Sequence, residues 1–138
     1  MQAAIDGGAR RPVGGRREGK LVWPTVLTHT RPEMRVMKDE VFGPVVSVVR
    51  YDTFEEGLQR LADTPYGLQA GIYTRDLDKA FAAIRRLDFG GVLINDTPIF
   101  RVDHMPYGGT RRSGIGREGV RYAVEEMTNL RMVVVNLT

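Results

Sequence analysis

The sequence predicts an α/β fold organised around a parallel strand–helix–strand layer. Three observations carry that prediction. The apolar run VVSVVRY (45–51) has the length and β-branched content of a strand buried on both faces. Two segments with helical spacing come after it, DTFEEGLQRLADTPYG and RDLDKAFAAIRRLDFG. A short apolar strand follows each of them, LQAGIYT (68–74) and GVLIN (91–95). A helix between two strands returns the chain in the same direction, so the strands are expected to be parallel.

Taken in order, residues 1–6 have the character of the last turn of a helix, stopped by Gly7 and Gly8. So short a helix is marginal alone, so it reads as the end of a longer element. Residues 10–20 are loop-rich. LVWPTVLTHT (21–30) is β-branched and apolar but interrupted by Pro24, which suits an edge or bulged strand. PEMRVMKDE has room for one helical turn. Asp52 or Thr53 is placed to cap the first long helix, with Glu55 and Glu56 in its first turn and Phe54, Leu58 and Leu61 on one face. Pro65 ends it. The second long helix is capped near Asp76, turns Leu77, Phe81 (or Ala80) and Ile84 inward, and has Gly90 past its end. The tail reads as a glycine loop, a helix starting near Gly116 and an apolar last strand near 130–136. A strand of that kind often pairs with something outside its own domain.

Composition bounds the function. The 138 residues fit one domain with room for a hydrophobic core, and a net charge of +3 is mild. The basic cluster Arg10, Arg11, Arg16, Arg17 and Lys20 lies among glycines with no interleaved aromatics, so a solvated loop is the reading and nucleic acid is not expected. There is no cysteine, hence no disulfide, no thiol nucleophile and no cysteine zinc site. The two histidines, His29 and His104, have no ligand spacing, so no metal is expected. No apolar run reaches membrane-span length and the N-terminus lacks a signal-peptide core. A cytoplasmic location is the expectation.

GIGREG (114–119) matches the G-x-G-x-x-G pattern of dinucleotide loops. That pattern requires a preceding strand and an acidic residue about 20 positions on. Here MPYGGTRRS precedes it and Asn136 stands at the far position, so a structural glycine loop is the reading. Ser47 and Ser113 stand in no nucleophile-elbow context. Glu55, Glu56, Glu125 and Glu126 are most simply surface charges. The carboxylate and ring of KDEVFGP, Glu40 and Phe42, stand at the mouth of the 45–51 strand, where a ligand is commonly bound.

EVFGP, YGLQAGIYTRDLDKA, GGVLIND, MPYGGTRRSGIGREG and EEMTNLRMVVVN stand in order along the chain, after GGARRPVGG and WPTVL. Together they resemble the C-terminal part of the NAD(P)-dependent aldehyde dehydrogenase superfamily. FRVDHMPYGG is similar to the members that oxidise lactaldehyde, phosphonoacetaldehyde or glyceraldehyde-3-phosphate. The resemblance implies a partial catalytic domain over 1–127 and an oligomerisation-type strand over 128–138. It also implies that the dinucleotide-binding domain, the catalytic cysteine and the general-base glutamate precede the matched segment in a subunit several times longer.

Residue by residue, the resemblance makes Glu40 the carboxylate that accepts hydrogen bonds from the nicotinamide ribose hydroxyls. Phe42 becomes the ring beside the nicotinamide, with ordinary core packing as the alternative. Asn95 resembles the asparagine that closes the substrate region, or a strand-end turn residue. Tyr107 matches an aromatic position lining the aldehyde tunnel, or a loop anchor. Arg101 offers a planar fork to a phosphate, phosphonate or carboxylate, or pairs with Asp103 at the surface. Glu118 matches a carboxylate of a proton or ion-pair path, or is simply well placed in a helix's first turn. Asn129 stands where the family often has an acid.

The parent chemistry implied is thiolate attack on an aldehyde, hydride passage to NAD(P)+ and hydrolysis to the acid. By this resemblance the chain carries neither nucleophile, general base nor phosphate-binding domain, so no tightly bound NAD or NADP and no turnover alone are expected. The alternative is a non-catalytic module that docks on itself as a homo-oligomer or on a complementary aldehyde dehydrogenase segment.

Overall fold

The structure, a computed structural model, describes residues 1–138. The chain divides into two units, Met1–Gly57 and Leu58–Thr138.

The first unit opens with α1 (Gln2–Asp6), which has no side-chain cap and ends at Gly7. Then come β1 (Arg10–Val13), β2 (Arg17–Glu18), β3 (Leu21–Val22) and β4 (Thr25–Thr28). After them follow α2 (Arg35–Lys38) and β5 (Val45–Val48). One sheet has the order β1-β4-β5, and β2 and β3 form a separate hairpin. β1 runs antiparallel to β4, with an irregular register between Arg10 and Val13. β4 runs parallel to β5 from the Thr25–Val45 pair to the Thr28–Val48 pair.

Three expectations change here. Residues 10–20 are not only loop, because they hold β1 and β2. All four β1 side chains are exposed, so backbone pairing makes the strand and no apolar alternation announces it. The 21–30 segment breaks at Pro24, and its second half, β4, is the central strand rather than an edge. The proline on the ladder is Pro12 in β1, on the edge where a missing N–H is tolerated. β5 is half-buried on one face only, since Val46 and Val48 are 54% and 51% exposed.

The helix α3 (Phe54–Ala62) is followed by β6 (Gln69–Ile72), α4 (Leu77–Arg86), β7 (Gly91–Ile94), a single 3-10 turn (Arg111–Ser113) and α5 (Val120–Met127). β6 and β7 are parallel, paired from Gln69–Gly91 to Ile72–Ile94. The α/β class with parallel strands therefore holds. The layer expected as one sheet across 45–95 is instead two parallel pairs, because β5 takes β4 as its partner and β6 takes β7.

Both long helices start as their sequences dictate. Thr53 Oγ1 accepts from Glu56 N at 3.2 Å, and Glu56 Oε2 accepts from Asp52 N at 2.9 Å, a reciprocal arrangement close to a capping box. Glu56 therefore serves the start of α3 and is not simply a surface charge. Asp76 Oδ1 accepts from Asp78 N at 2.9 Å and Lys79 N at 3.2 Å. The buried face of α4 includes Ala80, the alternative to Phe81, but otherwise differs from the one expected. Ala80 and Ala83 are buried, with Leu87 just past the end, while Leu77, Phe81 and Ile84 are exposed. Small side chains let α4 lie close to β7, and the bulky stripe is left outside. The expected strand at 130–136 is likewise absent, as residues 129–138 carry no secondary structure. A strand needs a ladder partner, and this chain gives the tail none.

The first unit's core is Ala4, Ala9, Leu27 and Met34, backed by Ile5, Val36, Met37 and Val45. In the second unit the buried apolar residues are Leu58, Ala70, Ala80, Ala83 and Leu87. Alanine makes up two of the four buried residues in the first core and three of the five in the second, so the core is smaller than the length of the chain suggests.

Candidate functional site

The second unit's site is built on the glycine loop of residues 107–119. Gly114, Gly116 and Gly119 have φ of 142°, 77° and 111°, which only glycine adopts without strain. What precedes the G-x-G-x-x-G pattern is a 3-10 turn and no strand, so the structural-loop reading fits. The loop closes on itself. Tyr107 N donates to Glu118 O at 3.1 Å and Glu118 N donates to Tyr107 O at 2.6 Å.

The loop is also clamped to the turns that follow α3 and α4. Gly67 N donates to Ser113 Oγ at 2.9 Å, and Thr110 Oγ1 donates to Asp88 O at 2.7 Å. Arg111, itself at φ 53°, donates to the carbonyls of Ala62, Thr64 and Asp88. Its guanidinium lies 5.4 Å from the centre of the Phe89 ring. Sequence reasoning missed Arg111. Its signal was indirect, a long donor-rich side chain beside glycines that admit close approach. Glu126 was also underread as a surface charge, for its Oε1 accepts from Arg117 N at 2.8 Å and so ties α5 to the loop.

Three of the residues singled out by sequence meet on this loop. Arg101 Nη2 donates to Glu118 Oε2 at 2.9 Å. The Arg101 guanidinium carbon lies 4.4 Å from the centre of the Tyr107 ring. Arg101 therefore pairs with Glu118 and not with Asp103, the surface partner considered from sequence. The pair is open to solvent, with side chains 45% and 65% exposed. Chemically this is a guanidinium fork laid over a ring face and paired with a carboxylate, a group suited to carboxylate and phosphate-like anions.

Asn95 stands at the end of β7 with φ 59°. Its Oδ1 accepts from Thr74 N at 2.8 Å and its own N–H donates to Ile72 O at 2.8 Å. It serves the strand-end turn, and its amide NH2 is the end left to meet a ligand.

Glu40 and Phe42 belong to the first unit, on the segment between α2 and β5. Both are exposed. Phe42 has φ 49° and is 91% exposed, which removes core packing as its role within this chain. The turn behind it is set by Val45 N donating to Gly43 O at 2.7 Å and Thr25 N donating to Pro44 O at 2.8 Å. An exposed carboxylate two residues from a fully presented ring offers acceptors to hydroxyl donors and a flat apolar face to a ring. Arg31 hydrogen-bonds Glu33 and holds its carboxyl below the usual range, and Glu125 raises Arg121.

A model of the aldehyde dehydrogenase family matches residues 1–133. A 3-sulfolactaldehyde dehydrogenase of Priestia aryabhattai is 46% identical over 137 residues, which are 99% of this chain and 29% of that enzyme. Among solved structures, an aldehyde dehydrogenase of Bacillus cereus in complex with NAD+ superposes with a TM-score of 0.92 at 36% identity, over 99% of this chain and 28% of that one. A glyceraldehyde-3-phosphate dehydrogenase of Methanocaldococcus jannaschii complexed with NADP gives 0.86 at 42% identity, over 93% and 28%. The chain thus spans under a third of the length of the relatives it matches. No helix is long and apolar enough to cross a membrane.

Proposed function

From the premise that this chain belongs to the aldehyde dehydrogenase family, we propose that it forms the C-terminal part of a catalytic domain for oxidising small acidic aldehydes. The observation that carries the substrate class is the Arg101 guanidinium, held over Tyr107 on a loop that also carries Glu118. An acidic aldehyde brings the anion that such a fork recognises. The relatives support this reading: one acts on a sulfonated lactaldehyde and another on a phosphorylated glyceraldehyde.

In this function Glu40 accepts hydrogen bonds from ribose hydroxyls and Phe42 lies against the nicotinamide. NAD+ or NADP+, when bound, supplies the acceptor for the hydride that the aldehyde loses. Asn95 presents its amide to the substrate oxygen, Tyr107 walls the aldehyde path, and Arg101 orients the acid group. The nucleophile comes from outside these residues, which include no cysteine. A cytoplasmic setting suits a dinucleotide-dependent oxidation.

The chain alone is expected to give no turnover and no tight dinucleotide binding. Purified chain is incubated with lactaldehyde or glyceraldehyde-3-phosphate and either dinucleotide, and reduced cofactor is followed by absorbance. Sustained production by material free of a co-purifying enzyme would refute the expected inactivity. A second reading, a non-catalytic docking module, is favoured by the tail. Leu130, Met132 and Val134 are 107%, 89% and 79% exposed, a surface suited to a second copy or a complementary segment.

A further inference from the structure

We propose that Glu118 is a resident competitor for the Arg101 guanidinium, displaced when the acidic head group of an aldehyde substrate docks there. The proposal rests on the reading of Arg101 as the group that meets the substrate's acid. Glu118 already occupies that fork as a ligand would, with Oε2 2.9 Å from Nη2. The exchange is oxygen for oxygen: a sulfonate, phosphonate or carboxylate takes the place of the glutamate carboxylate, and no bond is made or broken.

The surrounding geometry lets the carboxylate leave without dismantling the site. The backbone of Glu118 is fixed by its two hydrogen bonds with Tyr107, at 3.1 and 2.6 Å, so only its side chain has to swing. The guanidinium keeps its plane when Glu118 leaves, because the Tyr107 ring lies 4.4 Å beneath it. Both side chains are open to solvent, 45% and 65% exposed, so an arriving anion meets a weak, screened pair. Occupancy and charge act with one sign. Glu118 blocks a donor and also repels an anion approaching Arg101. Neutralising Glu118 therefore tightens anion binding, whereas a carboxylate that merely steadied Arg101 would give the reverse.

The test uses the isotope-labelled 138-residue chain at low ionic strength, titrated with sulfoacetate and followed by NMR at the Arg101 side-chain Nε–H and the Tyr107 amide. Glu118→Gln is expected to bind roughly twofold to fivefold tighter than wild type, the range that an exposed ion pair supplies. Arg101→Gln is expected to lose the saturable shift. Glu118→Ala repeats the test with a different side chain, and an unchanged Tyr107 amide certifies the loop in each variant. If Arg101→Gln binds as wild type does, or wild type shows no saturable shift, the reading of Arg101 as the anion site is wrong. If Arg101→Gln loses binding while neither Glu118 variant binds tighter than wild type, the competition is overturned and the Arg101 reading stands.

Discussion

The closest approach in the second unit is made by a residue with no side chain. A Cβ on Gly90 would lie 1.6 Å from Gly108 O, and one on Gly67 would lie 2.2 Å from Thr110 Oγ1. These two glycines admit the 107–119 loop to the turns after α3 and α4, and so place Tyr107 and Glu118. Neither has the positive φ that usually explains a glycine, so their requirement is steric. Gly90→Ala should destabilise the chain by about 1–3 kcal/mol through overpacking against backbone that cannot rotate away. Gly43→Ala, whose Cβ would come no nearer than 3.9 Å to Val41 O, is the near-neutral comparison. Urea unfolding of the two variants side by side decides it, and equal midpoints would discount the close approach. Sequence reading placed Gly90 past the end of α4 but could not see what it faces. Its neighbour Gly108 O is eighteen positions away along the chain, a separation on which local pattern is silent. The same limit hid Arg111, whose acceptors lie on Ala62, Thr64 and Asp88. Arg101, Tyr107 and Glu118 were legible singly, through motif, but their meeting was not.

Elements whose signals are local were read well. Asp76 caps α4 with two backbone N–H bonds, and Pro65 and Gly67 follow α3 as its termination requires. Asp76→Ala should lower stability by about 1 kcal/mol, in the ordinary range for a lost cap, whereas Asp76→Asn should retain most of it. The ion pair to Lys79, at 3.8 Å and half exposed, adds little, so charge is not what the alanine variant removes. Urea midpoints of the two variants check this, and a loss in Asp76→Asn equal to that in Asp76→Ala would shift the effect from hydrogen bonding to charge. Elements whose signals depend on distant partners were read less well. Val45 to Val48 looked buried on both faces because its residues are apolar, yet burial also needs a neighbour, and Val46 and Val48 have little cover here. β1 was missed for the converse reason, since its exposed Arg-Arg-Pro-Val carries no alternation while its backbone pairs with β4. In α4 Ala80, the alternative to Phe81, is buried as expected, but Leu77 and Ile84 are not, because Ala80 and Ala83 hold the buried face by allowing closer approach than the bulky side chains would.

At the scale of the whole molecule, surface is the feature that decides behaviour. The chain exposes 10937 Å², whereas a monomeric protein of its 15.5 kDa exposes roughly 7,200 Å² by the scaling of surface with mass. Bulky apolar side chains of the tail contribute to it. Met127, Leu130, Met132, Val133, Val134, Val135 and Leu137 are all at least 71% exposed, and they are consecutive enough to form one continuous stretch. A valine-rich segment with unpaired backbone groups has two routes to lower free energy: pairing with a strand edge, or burying side chains against another apolar surface. Neither route is taken within this chain, and β1, β5, β6 and β7 each keep one open edge with which the tail of a second copy can pair. The tail should therefore drive self-association. Size exclusion with light scattering is expected to find dimers or larger species that bind ANS, and removal of residues 128–138 should shift the population toward monomer. Leu130→Glu with Val134→Glu should act in the same direction without shortening the chain, since burying two unpaired carboxylates opposes any apolar contact there. A wild-type chain that runs as an ANS-silent monomer would remove the tail from this role, and the exposed stretch would then require a complementary aldehyde dehydrogenase segment to cover it.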